Sequence, residues 1–215
     1  MLNQGSEQII NTYCSKHAAV SQIRAQLTAC IELLCDCFTR GGQLLVCGNG
    51  GSCADADHIV GELVKAFRMK RPLRAELSEA LNRQGQRGAE LAAKLNAGLP
   101  AINLGAQTAL MTAMMNDVGG VYVFAQQVAA YGRAGDVFLG ISTSGNSGDV
   151  LYAGLTARAM GLHTVGLTGK NGGEMASSFD LTLRAAAEVV EDIQDIHTIL
   201  YHAICAAVEY QMWGE

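Results

Sequence analysis

A doubly wound parallel α/β sheet is the fold class this sequence predicts, and three observations predict it. Apolar runs at residues 43–47, 135–141 and 163–168 read as strands, and the continuous run at 135–141 is the pattern of a strand covered on both faces. Segments with helical periodicity separate these runs, as parallel strands require. The runs end at loops of glycine and small hydroxyl residues, GNGGS at 48–52 and STSGNS at 142–147, where ligands bind in open α/β sheets.

The elements follow in chain order. Residues 6–40 read as one helix, because Ile9, Ile10, Tyr13, Val20, Ile23, Leu27, Ile31, Leu34 and Phe38 recur largely at three- and four-residue spacing. Gly41-Gly42 ends it. A strand at 43–47 and the first glycine loop lead into a helix at 53–68, stopped by Arg71-Pro72. Residues 73–99 are charged and alanine-rich, with leucines at 73, 77, 81, 91, 95 and 99; they read as two short amphipathic helices around 85–88. This insertion is expected to be a surface feature, with a lid or a subunit contact as the alternatives. A short strand at 100–104 and helices at 107–116 and about 121–132 precede the strand at 135–141. The serine loop opens a helix at 148–160; a strand at 163–168, a third loop at 169–173, a strand at 181–184 and a long helix at 190–213 complete the chain. We read residues 1–215 as one domain, with 1–41 as an N-terminal helical element.

Composition narrows the function classes. With 49% hydrophobic and 16% charged residues over 215 positions, the chain can bury a large core. A formal charge of −5 lacks the basic footprint of a nucleic-acid binder. It leaves room for an anionic substrate, since a local loop field can oppose the global charge. The seven cysteines contain no C-x-x-C pair and mostly sit in apolar surroundings, so they are expected to be reduced, in a cytoplasmic protein. No signal peptide and no membrane-spanning run is read.

The loops carry the chemistry. The first opens a helix N-terminus, where backbone N–H groups and the helix dipole favour an anion. Ser142, Thr143, Ser144 and Ser147 place four hydroxyls on the second loop, with Ser147 at the expected N-cap. We read the cluster as a phosphate site, although such hydroxyls can also serve only to cap and turn. Neither a P-loop nor a dinucleotide fingerprint is present. His58 and Glu62, four apart on one helix face, suit a shared metal, an acid–base pair or a plain surface pair. The last helix bears Glu191, Asp192, Gln194, Asp195, His197 and His202 in a strongly apolar pattern, where a histidine is either a core residue or a ligand. His17 and His163 receive no role.

Taken together, CGNGGS (47–52), D-A-D-H-x-x-x-E (55–62), Asn116-Asp117, GDVFLGISTSGNS (135–147), GLTGKNGG (166–173) and IQDIHTILYH (193–202) resemble the sugar isomerase (SIS) family and, within it, the phosphoheptose isomerases. The resemblance implies a flavodoxin-like core and a homotetramer with active sites at subunit interfaces. It implies an aldose–ketose isomerase that interconverts sedoheptulose 7-phosphate and D-glycero-D-manno-heptose 7-phosphate through an enediolate. Carried over by position, it implies catalytic Glu62 and His202. It implies one zinc per subunit on His58, Glu62, Gln194 and His202. Substrate contacts fall on Asn49, Gly50, Gly51, Glu62, Asn116, Asp117, Ser142, Thr143, Ser144, Ser147 and Gln194, with Ser52 added by its place in the loop. No nucleic-acid or membrane partner is implied.

Three departures mark this chain. The 73–99 insertion is longer than the family's short link, Ala66 stands where members commonly carry Arg, and Glu191 stands where an Asp is usual. Gln194 and His202 lie eight positions apart, about 12 Å along a straight helix. For one metal this requires that the Gln side chain reach along the axis, that the helix begin irregularly, or that ligands come from two subunits; of these we favour a site completed across a subunit interface. The alternative function is a non-catalytic SIS protein that binds a sugar phosphate or a replication-initiator protein as a regulator; the presence of Glu62 and His202 favours the enzyme.

Overall fold

The structure, a computed structural model, describes residues 1–214. Its centre is a five-stranded parallel sheet of β1 (Leu44–Gly48), β2 (Ala101–Asn103), β3 (Val137–Ser142), β4 (His163–Thr168) and β5 (Leu181–Arg184) in the order β2-β1-β3-β4-β5. Strand alternation sends side chains to both faces. Leu44, Val46, Val137, Leu139, Val165 and Leu167 join the core on one face, and Leu45, Cys47 and Phe138 the core on the other. The first face is covered by α3 (Arg24–Thr39), α4 (Gly51–Val64) and α11 (Val190–Trp213), with α1 (Gln4–Lys16) packed outside them on α11. The second is covered by α7 (Thr108–Asp117), α8 (Val123–Tyr131), α9 (Gly148–Ala159) and the short α10 (Met175–Ser178). This is the doubly wound arrangement expected.

Two expected helices are corrected. The single helix over 6–40 is three: α1, α2 (Ala18–Gln22) and α3, broken at His17 (φ −135°, ψ 105°) and Ile23 (φ −115°, ψ 25°). Spacing alone misses the breaks because apolar residues resume in phase on either side. An unbroken helix of that length would run about 50 Å, far beyond a sheet of short strands. The breaks instead let α1 lie on α11, where the Ser6 hydroxyl donates to the Ala207 carbonyl at 2.9 Å, while α3 covers the sheet.

The helix expected over 53–68 starts at Gly51 and stops at Val64, well before Pro72. Lys65 is extended, and the chain beyond it is held by tertiary bonds. The carboxylate of Glu209 accepts from the amides of Phe67 and Arg68, and the guanidinium of Arg71 donates to the carbonyls of Leu63 and Glu62. Buried partners thus replace a sequence stop signal.

The insertion forms a helical hairpin of α5 (Ala75–Asn82) and α6 (Gln86–Lys94), turned at Gly85 with φ +83°. No residue of α5 is buried, and Gly88 alone is buried in α6, against the Leu81 carbonyl. The hairpin's feet are close together: Ala97 N donates to Arg71 O at 2.9 Å and Leu99 N to Leu63 O at 2.9 Å.

Candidate active site

The strand order reverses between β1 and β3, and both glycine–serine loops leave the sheet there. In the first loop Gly50 takes φ +54°, a conformation that side-chain-bearing residues rarely adopt. Ser52 N and Cys53 N bond back to the carbonyls of Asn49 and Gly50, which leaves the amides of Gly50 and Gly51 at the open end of α4. No side chain caps that helix. Ser52 is buried with its side chain against Gly48, so it serves the turn rather than the open mouth. The Asn49 amide donates to both carboxylate oxygens of Asp149, at 3.0 and 2.9 Å.

In the second loop Ser147 occupies the N-cap position of α9 as expected, but its hydroxyl does not cap the helix. It lies 2.8 Å from the Ser142 hydroxyl, which is 3.4 Å from that of Ser144. The hydroxyls therefore converge on one another beside the uncapped start of α9. Gly169 N donates to Thr143 O and Met175 N to Gly145 O, which stitches this loop to the one at 169–173. A Cβ at Gly145 would meet Gly172 O at 2.0 Å, so only glycine allows that approach. Asn116 and Asp117, hydrogen-bonded to each other at the end of α7, are brought toward α9 by the 3-10 turn Gly120–Tyr122, whose Val121 lies against Gly148.

Away from the loops, α4 and α11 run side by side in the same direction. Gly51 faces Gln194, whose Nε2 a Cβ there would meet at 2.3 Å, and His58 faces Tyr201 and His202. Positions 51, 55, 58 and 62 fall on one helical face, so the groove between α4 and α11 carries polar groups from the first glycine loop to the end of α4. His58 Nε2 stands 3.3 Å from Glu62 Oε1 and 3.4 Å from His202 Nε2. The Tyr201 hydroxyl meets His58 Nδ1 at 3.0 Å and so turns the other ring nitrogen toward Glu62 and His202. Glu62 Oε2 is buried with no hydrogen-bond partner, although Lys65 Nζ lies within ion-pair reach at 3.7 Å. Burial, joined by the neighbouring His58 and Arg68 charges and opposed by Glu62, pushes the His202 imidazole below its usual range and favours the neutral ring. The ring of Phe67 stacks on it at 5.9 Å and 26°.

Of the residues expected at the site, the structure brings His58, Glu62 and His202 together in one chain. Gln194 sits at the loop end, beside Gly51. His197 belongs to the core, with no solvent exposure and its Nε2 3.2 Å from Thr168 O. Sequence reasoning passed over Tyr201, Phe67 and Asp149. A tyrosine inside an otherwise apolar helical stripe is the one signal that could have flagged the first.

The donors at the groove's far end suit zinc in chemistry and in pairwise spacing. Zinc bonds of about 2.0–2.1 Å in a tetrahedron place ligand atoms about 3.3 Å apart, close to both measured separations. Among the described residues no three His, Cys, Asp or Glu side chains converge on one point as they stand, so closing a metal site requires side-chain adjustment.

Comparison with known proteins identifies the relatives of this chain. The SIS domain model matches residues 12–94 and 86–169. A phosphoheptose isomerase of Roseiflexus sp. (strain RS-1) is 38% identical over 200 residues, covering 93% of this chain and 89% of that one. The solved phosphoheptose isomerase GmhA from Neisseria gonorrhoeae superposes with a TM-score of 0.72 at 32% identity, covering 95% and 93% of the two chains. That of Francisella tularensis gives 0.73 at 29% identity, covering 94% and 97%.

Proposed function

The chain belongs to the phosphoheptose isomerase family of SIS-domain enzymes, and from that premise we propose that it interconverts sedoheptulose 7-phosphate and D-glycero-D-manno-heptose 7-phosphate through an enediolate. The observation that carries this reading is the α4–α11 groove. Its loop end offers amides and hydroxyls to a phosphate, and its far end offers a carboxylate and a neutral imidazole. Gly51 and His58 are seven residues apart on α4, about 10 Å. An open-chain seven-carbon sugar phosphate spans a comparable distance.

The assignments follow from the chemistry. The phosphate binds Gly50, Gly51, Ser142, Thr143, Ser144 and Ser147, and this remote binding orients the reacting end. Asn49, Asn116, Asp117 and Gln194 contact the sugar. Glu62 takes the proton from C1 of the ketose and returns it to C2. His202, neutral at physiological pH, moves the proton between O1 and O2. Zinc would be held by His58, Glu62 and His202, and when bound would polarise the carbonyl and steady the developing negative charge. Gln194 beside Gly51 is a sugar contact before it is a ligand.

The His58 side chain is 45% exposed, so in a single chain the far end of the groove lies open. We propose that a second copy covers it within a homotetramer. No helix among the described residues is long and apolar enough to cross a membrane. All seven cysteines are free, and burial pushes the thiols of Cys30 and Cys35 up to about 12; we propose a reducing cytoplasm as their compartment.

The test is proton exchange in deuterated water with sedoheptulose 7-phosphate. Deuterium at C2 of the aldose product, lost in Glu62→Gln, is the expected result. Binding without exchange or product would overturn the isomerase assignment and favour a regulator.

A further inference from the structure

We propose that Arg71, Glu209 and Phe67 form a positioning unit that sets Glu62 and His202 against each other; the inference rests on the catalytic assignment above. Arg71 and Glu209 are 0% and 1% exposed, and Arg71 Nε meets Glu209 Oε1 at 2.6 Å. Each charge is spent on backbone. Glu209 accepts from Phe67 N at 2.9 Å and Arg68 N at 2.7 Å. Arg71 donates to Leu63 O at 2.6 Å and Glu62 O at 2.8 Å, and its guanidinium lies 4.9 Å from the centre of the Trp213 ring.

The bonds lead to both proton-moving groups by different routes. Arg71 holds the carbonyl of Glu62 itself, and so fixes the last turn of α4 from which that carboxylate projects. Glu209 holds the backbone of Phe67, whose ring stacks on His202. Glu209 also stands on α11 seven residues beyond His202, so one buried pair ties the end of α4 to the helix that carries the imidazole. A buried ion pair is a poor source of net stability, since apolar replacements of similar volume often do as well. What apolar side chains cannot supply is the set of directed bonds to particular amides and carbonyls. Those bonds matter to rate, because a misplacement of about 1 Å can cost about 100-fold in turnover. Phe67 and Arg71 are thus assigned as positioning residues that need not touch substrate.

The experiment compares steady-state kinetics of Phe67→Leu, Phe67→Tyr, Glu209→Gln and Glu62→Gln with the unaltered enzyme, with near-UV circular dichroism to measure the folded fraction. Phe67→Leu and Glu209→Gln are expected to lower kcat about 10-fold or more with KM within about 2-fold, and Phe67→Tyr to restore it. Undiminished kcat in both variants, a loss confined to KM, or a kcat loss that merely tracks the folded fraction would overturn the inference. If Glu209→Gln does not fold, Phe67→Leu and its tyrosine rescue decide. Inactive Glu62→Gln beside a fully active Phe67→Leu refutes the positioning unit alone. Undiminished turnover in Glu62→Gln refutes the catalytic assignment and the inference with it.

Discussion

Acid should destabilise this protein through His197, and the size of the effect follows from its surroundings. The imidazole is fully buried beneath the C-terminal end of β4. Burial pushes its pKa down to about 4 from 6.5, opposed only by the hydrogen bond to Thr168 O. A histidine with a depressed folded-state pKa favours folding while both states are neutral, above pH 6.5. That stability drains away as pH falls toward 4, because the unfolded chain binds the proton first. Integrating the linkage from pH 7.5 to pH 5 gives a loss of about 2 kcal/mol from this one residue. His197→Leu removes the titration and strands no partner, since Thr168 O also accepts from Ala185 N at 2.7 Å. Urea unfolding at fixed protein concentration, repeated from pH 7.5 to pH 4.5, measures the difference between the two proteins. The variant should gain about 2 kcal/mol on the parent between pH 7.5 and pH 5. Stability curves that stay parallel across that range would refute the reasoning.

Other outcomes follow from the site and the insertion. Glu62→Gln and His202→Ala should each lower turnover about 100-fold or more, the scale of a general acid–base term, in a coupled assay of aldose formation. Ser144→Ala should weaken inorganic phosphate binding about 10-fold by calorimetry, since a hydrogen bond to a charged group is lost while Ser142 and Ser147 keep theirs. Tyr201→Phe frees His58 Nδ1 and should weaken zinc retention about 10-fold or more in competition with a chelator. Replacing residues 74–95 by a short glycine–serine link should leave the unfolding free energy, measured by urea titration, within about 1 kcal/mol of the parent, because the hairpin's feet already meet and α5 buries nothing.

The strands and the two loops were legible because they depend on local signals. The strands β4 and β5 and the helix α11 fall where the apolar pattern put them, and Gly85 turns the hairpin where two helices were expected. The site was legible as residue types and spacing: His58 and Glu62 share a face because four residues make about one turn. What pattern missed was set by contacts between distant segments. The end of α4 is decided by Glu209, more than 140 positions away, and the orientation of His58 by Tyr201. The Ser147 hydroxyl sits at an N-cap yet bonds to Ser142 instead, a choice no local rule makes.

By itself, then, the order of amino acids specified the alternating strands and helices, the family, and the side chains competent for proton transfer. Those follow from backbone preference and from chemistry that each residue carries wherever it stands. Only tertiary packing decided that Glu62 and His202 meet around His58 in one chain while Gln194 stays by Gly51 in the first glycine loop, and that Arg71 and Glu209 lock the two helices between them. Such relations arise from burial and from bonds across the fold, and their energies exist only once the sheet has brought α4 and α11 side by side.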